Sequence, residues 1–443
     1  MLRTRATTTT TIWVLLGIIV ALEATPDYTG LTGPYCETRY RQMRCCEGRK
    51  DDCSVPIMGT LCYCDEFCNA RNRSRSEDCC PDYLPHCHGE APTAINTQLC
   101  NHKGRSYYPG NKFKENCNIC ECTSLEGNSE IMCEDNRCLM DQDLIDRINY
   151  VETAGWMARN YSEFYGHTLK EGLQKRLGTE NPTYSVMRMN AVRRVYNPDD
   201  LPQEFDSRQR WPRHIRPVHD QGWCGASWAI STVDVASDRF AIMSKGTENP
   251  QLSAQHLISC NNRGQLACNG GYLDRAWLFM RKFGLTDEEC YPWIGHGEKC
   301  RVQRRGKLSD ANCKRRHSYA LRNELYKVGP AYRLGNETDI MHEILTSGPV
   351  QATMMVYQDF FHYESGIYRH SRLSEMYPTG YHSVRIIGWG EEPSSFTGTL
   401  IKFWRVANSW GREWGEDGYF RIVRGTNECE IEQFVLGVWA KTV

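Results

Sequence analysis

The side chains best suited to chemistry lie in five short motifs between residues 201 and 443. They include a cysteine, a serine, a histidine, an asparagine and a glutamine, the types that nucleophilic acyl transfer uses as nucleophile, base, orienting group and oxyanion donor. Taken singly, each would more often be structural, since a lone histidine is usually a satisfied core or surface residue. The motifs are QGWCGASW at 221–228, ACNGG at 267–271, SGPV at 347–350, GYHSVRIIGWG at 380–390 and NSWGREWGEDGYF at 408–420.

In this order the motifs resemble those of a papain-like cysteine peptidase of the cathepsin B branch. The resemblance spans residues 201–443, including LPQEFDSRQRWP near the start. It implies that His382 is the catalytic histidine, that Asn408 orients its ring and that Gln221 is an oxyanion donor. In the family, the nucleophilic cysteine immediately precedes the tryptophan of the first motif. That position is Ser227 in this chain.

The first cysteine of the same motif does not restore the missing nucleophile. The resemblance pairs Cys224 with Cys268 in a disulfide, and Cys224 lies about one helical turn from Ser227, where it cannot take over its direction. A hydroxyl is far less acidic than a thiol, and loss of the nucleophile in such a unit costs on the order of 10⁶ in kcat. We therefore expect a pseudoenzyme. The alternative is a residual hydrolase that uses Ser227 with His382, or an inhibitor-like decoy for peptidase substrates.

The resemblance also implies a substrate groove in which a glycine pair receives the backbone of a peptide. Asn269, Gly270 and Gly271 would line it together with Gln221, and Trp410 would shield the contact between the histidine and the asparagine. We expect this groove to be able to hold a peptide or protein segment even without catalysis.

Residues 290–313 stand where cathepsin B carries its occluding loop, which bears a histidine pair. His296 is the one histidine in this stretch, so we expect the dipeptide-trimming specificity to be absent.

Residues 299–316 are strongly basic. Such charge runs are usually solvated surface, but on a secreted protein they also predict contact with acidic glycosaminoglycans.

Sixteen of the 23 cysteines lie between Cys36 and Cys138. Residues 36–87 resemble a somatomedin B module, which implies either a protein-binding module or an inert spacer. Two more cysteines than the usual eight leave its pairing open.

Residues 100–138 resemble a von Willebrand factor C module, in which three disulfides are favoured over a zinc site. Residues 201–443 hold seven cysteines, so Cys429 is expected to be free or available to another chain.

Residues 1–24 combine two arginines, an apolar run and small residues, which indicates a secretory signal peptide rather than an uncleaved anchor. We expect a protein secreted to the extracellular space or matrix, without membrane insertion, because disulfides persist in oxidising compartments. Asn72, Asn160 and Asn336 stand in glycosylation sequons.

Residues 141–200 resemble a cathepsin B propeptide and are predicted to be helical. Two rows of apolar residues recur at spacings of three and four, from Leu144 to Trp156 and from Leu169 to Leu177, the second row ending at Gly178. Residues 197–202 read as an extended linker. The pair Arg193-Arg194 is a processing site or simply solvated charge.

The whole combination resembles the tubulointerstitial nephritis antigen family. It implies an α+β fold, with a two-lobed papain-like domain (a helical lobe plus a β-barrel-like lobe) after small disulfide-rich modules. The family implies a secreted, matrix-associated glycoprotein that binds extracellular matrix, secreted or cell-surface proteins; the alternative is a scaffold whose front modules do all the binding. The 53 basic and 54 acidic residues argue against a nucleic-acid partner. We find no sequence motif for a metal, nucleotide or haem.

Overall fold

A computed structural model describes residues 33–39, 45–57, 60–68, 79–89, 99–125, 128–150, 155–192, 194–302, 325–394 and 398–443. The predicted signal peptide, the sequon at Asn72 and most of the basic stretch lie outside these residues. Within the described ranges, no helix is long and apolar enough to cross a bilayer. The chain divides into two compact units, Met1–Pro109 with Ser124–Glu130 and Gly110–Thr123 with Ile131–Val443.

The first unit is built around disulfides. Its buried cluster consists mostly of half-cystines, with Val55, Ile57 and Tyr83 between them, because so short a segment cannot bury a large apolar core. All ten cysteines from Cys36 to Cys87 are paired, in five bridges, and the two cysteines beyond the usual eight are bonded to other cysteines and not to each other. The pairs are Cys36–Cys64, Cys45–Cys87, Cys46–Cys53, Cys62–Cys80 and Cys68–Cys79. The elements are α1 (Tyr35–Arg39), β1 (Ser54–Ile57), β2 (Thr60–Tyr63), α2 (Tyr83–His88), β3 (Cys100–His102) and β4 (Arg105–Tyr107).

A small three-stranded sheet follows, with its strands in chain order. Disulfides join Cys117 to Cys138 and Cys120 to Cys133. Both sulfurs of the C-x-x-C pair are therefore in disulfides and not available to zinc. The strands are β5 (Lys112–Glu115), β6 (Asn118–Leu125) and β7 (Asn128–Cys133).

A nine-stranded sheet forms the β lobe of the second unit. Its strands are β8 (Trp156–Ala158), β9 (Phe205–Asp206), β10 (Tyr332–Leu334), β11 (Val350–Val356), β12 (Tyr363–Tyr368), β13 (Gly380–Pro393), β14 (Leu400–Ala407), β15 (Tyr419–Val423) and β16 (Val435–Gly437). They are arranged in the order β10-β16-β11-β13-β14-β15-β12-β8, with β9 paired to β13. The long strand β13 lies antiparallel between β11 and β14 and is buried over most of its length. Large aromatic side chains, among them Phe360, Trp404 and Trp414, fill the adjoining core.

Helix α7 (Ser227–Met243) is the centre of the helical lobe and is buried almost throughout. A helix buried on all sides must satisfy its charged residues internally. Asp238 accordingly pairs with Arg385 of β13 at 2.7 Å, and Arg239 pairs with Glu343 at 2.8 Å. Among the described residues after 200, the other α-helices are α6 (Ser207–Arg210), α8 (Ala254–Cys260), α9 (Leu273–Lys282) and α10 (Glu337–Ser347). The predicted α+β class is confirmed.

Residues 155–192, which we call the strap, run across the second unit. Helix α3 (Gln142–Tyr150) precedes them, and α4 (Leu169–Gly172) continues as a wider helical turn to Leu177. Thr168 and Glu171 form a capping box that starts α4, and Gly178 ends the turn in the left-handed conformation. A last short helix, α5, covers Tyr184–Met187.

The prediction that the first helix extends to Trp156 is wrong. Trp156 lies in β8, which pairs antiparallel with β12, and its indole N–H donates to the carbonyl of Arg369 at 2.9 Å. Gly155, at φ 76°, turns the chain before the strand. The predicted linker also contains a 3₁₀ turn over Pro198–Asp200, because the side chain of Asn197 accepts a hydrogen bond from the Asp199 N–H.

Trp156→Ala is expected to destabilise the protein by about 3–5 kcal/mol, because it removes a buried indole from the aromatic core of the β lobe. The matched control is Met157→Ala. Met157 is adjacent on the opposite face of β8 and 47% exposed, so its loss should stay within about 0.5 kcal/mol. Urea unfolding measures both, and equal effects would contradict the strand assignment.

Candidate functional site

Ser227 is the first residue of α7, where the nucleophile position was expected. The loop before it is held by the disulfide Cys224–Cys268 and by the Gly225 N–H, which donates to the carbonyl of Cys268 at 2.9 Å. Cys224 is therefore bonded and cannot act as a nucleophile. The serine side chain is fully buried.

His382 and Asn408 face each other from neighbouring strands. His382 lies in β13 and Asn408 directly follows β14, and the histidine Nε2 is 2.7 Å from the asparagine Oδ1. Since Oδ1 also accepts the Ser409 N–H at 2.8 Å, it is an acceptor, and the imidazole proton is assigned to Nε2. The ring of Trp410 lies 5.2 Å from the imidazole, centroid to centroid, and covers this contact.

The hydroxyl of Ser227 hydrogen-bonds to partners other than His382. Its Oγ is 2.9 Å from the Thr179 Oγ1 and accepts the N–H of Ser383 at 3.3 Å. The Nδ1 of His382, which would have to accept a nucleophile's proton, is buried without a hydrogen-bond partner. The serine and the histidine are thus close in the fold but not joined as nucleophile and base.

The pKa of His382 is lowered to about 4, mainly by burial and to a smaller extent by the nearby charge of Arg176, while the hydrogen bond to Asn408 opposes the shift. The imidazole is therefore neutral at physiological pH. A cysteine peptidase needs the opposite state, a positively charged imidazole beside a thiolate.

The carboxamide of Gln221 is engaged by the strap. Its Nε2 donates to the carbonyl of Arg176 at 2.9 Å and to that of Cys224 at 2.8 Å, and the Leu177 carbonyl lies at 3.3 Å. Trp410 donates its indole N–H to the same Arg176 carbonyl at 2.7 Å. The groups expected to stabilise an oxyanion and cover the histidine thus bind a peptide carbonyl of the chain itself.

The glycine pair of the predicted groove is occupied in the same way. The N–H of Gly271 donates to the carbonyl of Gly178, and its carbonyl accepts the N–H of Glu180, both at 3.0 Å. The opposite wall contributes the carbonyl of Tyr381, which accepts the N–H of Thr179 at 3.2 Å. The strap therefore makes main-chain contacts of the kind predicted for a substrate.

The two backbones approach so closely that only glycine fits. Gly178 has φ 98°, and a Cβ at this position would lie 2.0 Å from the carbonyl oxygen of Gly225. Asn269 and Gly270 also meet the strap. Lys175 Nζ donates to the Asn269 Oδ1 at 3.1 Å, and a Cβ at residue 270 would lie 2.7 Å from the Glu180 carboxylate.

Arg176 anchors this part of the strap, and sequence reasoning did not identify it. Its side chain is 1% exposed, and the guanidinium carbon lies within 6 Å of the ring centres of Phe164, Trp223 and Trp410. One guanidinium nitrogen donates to the carbonyl of Gly222 at 3.0 Å. The sequence feature that could have indicated its role is its position as a charged residue within the apolar row that ends at Leu177.

Two residues that flank strands of the small sheet, Asn116 between β5 and β6 and Arg137 after β7, hold the strap from its other side. Asn116 donates through Nδ2 to the carbonyl of Met140 at 2.9 Å and accepts the N–H of Gly166 through Oδ1 at 3.2 Å. The N–H of Leu169 donates to the carbonyl of Arg137 at 2.8 Å. The strap is therefore fastened on the groove side and on the side of the cysteine-rich segment.

The remaining predicted residues lie at the surface or in a disulfide, except for Cys429. Asn160 and Asn336 are exposed, and Asn336 is the N-cap of α10. His296 is also exposed, and the Cys260–Cys300 bridge holds the start of the segment that was compared with the occluding loop. Cys429 is free but buried, so it is not available to another chain in this fold.

Residues 201–439 match the papain family of cysteine proteases. Over 428 residues the chain is 46% identical to human "Tubulointerstitial nephritis antigen-like", covering 92% of this chain and 89% of that protein. It is 40% identical to human "Tubulointerstitial nephritis antigen" over 433 residues, covering 92% and 87%. Among solved structures, "proCathepsin B S9 from Trypanosoma congolense" matches with a TM-score of 0.57 and 30% identity, covering 69% of this chain and 99% of that one. The predicted family resemblance and fold are confirmed.

Gly178→Ala is expected to loosen the strap, because its Cβ would meet the Gly225 carbonyl. Amide exchange at Gly271, whose N–H is bonded to residue 178, should accelerate by about tenfold or more. Gly155→Ala is the matched control, since it carries the same cost of a positive φ but nothing lies within 4 Å of its added Cβ. Equal exchange in both variants would contradict the close approach.

His382→Gln is expected to reduce the loss of stability in acid. Between pH values of about 6.5 and 4 the unfolded chain binds a proton that buried His382 does not, so stability falls as the pH drops. Across this pH range, His382 alone lowers the free energy of unfolding by about 3 kcal/mol. Unfolding free energies at pH 7 and pH 4.5 measure it, with His296→Gln, at an exposed position, as control. Identical pH dependence in wild type and His382→Gln would contradict the buried neutral state.

Proposed function

The chain belongs to the tubulointerstitial nephritis antigen family and carries a papain-like domain, and we propose that it is a secreted, non-catalytic protein. It acts by binding extracellular proteins or glycans. The observation that carries the proposal is the state of the groove, in which a serine occupies the nucleophile position and the strap fills the substrate path.

The chemistry of Ser227 supports the absence of peptidase activity. A serine peptidase needs a base that accepts the hydroxyl proton during attack. The Ser227 hydroxyl instead hydrogen-bonds to Thr179 and Ser383, and the Nδ1 of His382 has no hydrogen-bond partner. The alternative of a residual serine-dependent peptidase would require these contacts to be broken and the histidine to be turned towards the serine.

The anchoring of the strap in the groove also supports the absence of peptidase activity. A substrate would have to displace the Arg176 carbonyl from Gln221 and Trp410, together with a buried guanidinium that lies among three aromatic rings. A decoy that offers this groove to peptides faces the same cost. We therefore assign partner binding to surfaces outside the filled groove, including the disulfide-rich modules, rather than to Asn269, Gly270 and Gly271.

Secretion is supported by chemistry that belongs to oxidising compartments. The described residues contain disulfides in both units, and two sequon asparagines, Asn160 and Asn336, are exposed. The relatives that match 92% of this chain carry the names of nephritis antigens. The basic stretch 299–316 stays a proposed contact for acidic glycosaminoglycans; of its first residues, Arg301 is paired with Glu298.

The test is hydrolysis of a panel of fluorogenic dipeptide substrates by the wild-type protein and by Ser227→Ala. Both are expected to give background rates, before and after limited proteolysis of the strap, because the nucleophile is missing even when the groove is open. A cathepsin B sample serves as the positive control. Hydrolysis by the wild type that disappears in Ser227→Ala would establish a serine-dependent peptidase and overturn the proposal.

Secretion and glycosylation are tested by expression in animal cells, with peptide-N-glycosidase digestion of protein collected from the medium. Thr338→Ala and Asn336→Ser should each lose one glycan, while both keep a side chain able to cap α10. Asn336→Ala loses the glycan and the cap, at an expected cost of about 1 kcal/mol. Protein retained inside the cell, or no mass change in any variant, would contradict this part of the proposal.

A further inference from the structure

A second group of reactive side chains lies in the β lobe and takes no part in the filled groove. His370 follows β12, while Glu428 and Cys429 belong to a short 3₁₀ turn before β16. The histidine Nδ1 is 2.6 Å from the Glu428 Oε1, and the Cys429 Sγ is 3.6 Å from the same oxygen. One donor atom from each of the three residues lies within 4.8 Å of the other two.

The histidine is held in position by its surroundings. Its Nε2 lies 3.2 Å from the Glu375 carboxylate, and the ring of Tyr357 stacks on it at 4.5 Å with an interplanar angle of 12°. Its backbone N–H donates to the Glu428 Oε1 at 3.0 Å. In metal sites, a carboxylate on the outer nitrogen commonly fixes the tautomer and orientation of a histidine ligand.

Cys429 provides the available sulfur. It is the free cysteine among the described residues, and it is 7% exposed. The two other groups of possible ligands in the described chain rely on cysteines that are already paired in disulfides. Asp359, which is fully buried nearby and accepts the Tyr368 hydroxyl and the Ser371 N–H, adds negative charge to this part of the core.

We propose that the Nδ1 of His370, the carboxylate of Glu428 and the Sγ of Cys429 form a binding site for a divalent transition-metal ion, with Zn²⁺ as the best match. Zn²⁺ accepts mixed nitrogen, oxygen and sulfur donors at about 2.0–2.3 Å, and three protein ligands leave a fourth position for water. Donor atoms within 4.8 Å of each other are compatible with one shared ion of this size.

Binding exchanges protons for the metal ion. The Cys429 thiol loses its proton to water as the metal–sulfur bond forms, and the His370 Nδ1 offers its lone pair to the ion. A proton on Nδ1 therefore moves to Nε2 when that nitrogen is free of one, and to water when Nε2 already carries one. In the metal-bound state the one imidazole proton is on Nε2, which lies 3.2 Å from the Glu375 carboxylate and donates to it. The short contact between histidine and glutamate lengthens as the ion enters between them.

The site would link two parts of the chain that lie 58 residues apart, the loop after β12 and the turn before β16. An ion that binds only the folded arrangement stabilises it in proportion to the logarithm of its free concentration. We therefore assign the ion a structural role in the β lobe. This role does not depend on the proposed function of the groove.

The test uses Co²⁺ as a spectroscopic probe added to the full-length, disulfide-intact protein. One equivalent should produce a thiolate-to-cobalt charge-transfer band, which added Zn²⁺ then removes. Cys429→Ser should abolish the band, and Glu428→Gln should weaken Co²⁺ binding by about tenfold or more. His296→Gln, which removes an exposed histidine elsewhere, is the matched control and should keep the full band.

A thermal melt gives a second readout. Zn²⁺ should raise the melting temperature of the wild type and of His296→Gln, and leave that of Cys429→Ser unchanged. The proposal is overturned if the wild type gives no thiolate band at one equivalent, or if the band persists in Cys429→Ser. Because the wild-type band requires no substitution, a folding defect in the variants cannot hide a negative result.

Discussion

The rest of the site depends on the hydrogen bonds that the main chain of Arg176–Glu180 makes inside the groove. Its carbonyls bind Gln221, Trp410 and the N–H of Gly271, and its amides bind the facing walls. Hydrogen bonds of this kind are made by any peptide, so a strap of the right path can replace a substrate without copying its side chains. The path requires two glycines in contact, Gly178 against Gly225, because a side chain on either would separate the backbones.

The electrostatics of the site follow from that packing. Strap and aromatic side chains exclude water from His382, whose pKa falls to about 4, and the charge of Arg176 opposes a second positive charge nearby. An active cysteine peptidase keeps a charged pair in its groove, whereas this groove holds a neutral imidazole and a neutral hydroxyl. Replacement of cysteine by serine removes the need to stabilise that charge. The filled groove and the lost nucleophile are thus mutually consistent.

Much of the site was predictable because short motifs determine local geometry. The resemblance of the motifs to papain-like peptidases implies that Asn408 contacts His382, and that a Cys224–Cys268 disulfide brings the glycine pair to the loop before Ser227. Contacts between distant segments were not predictable. The hydrogen bond of Ser227 to Thr179 joins residues 48 apart, and the position of Trp156 in a strand depends on β12, which follows it by some 200 residues. The ligands of the proposed metal site likewise meet only after the β lobe has folded.

The central claim, that the chain's own strap closes the groove, is tested most directly by placing a thiol in it. Ser227→Cys would be treated with a peptide-linked electrophile, and labelling of residue 227 followed by mass spectrometry on intact chains. The account predicts negligible labelling of this variant and rapid labelling of Ser227→Cys combined with Gly178→Ala, whose added Cβ forces the strap away from Gly225. Equally rapid labelling of both proteins would contradict it.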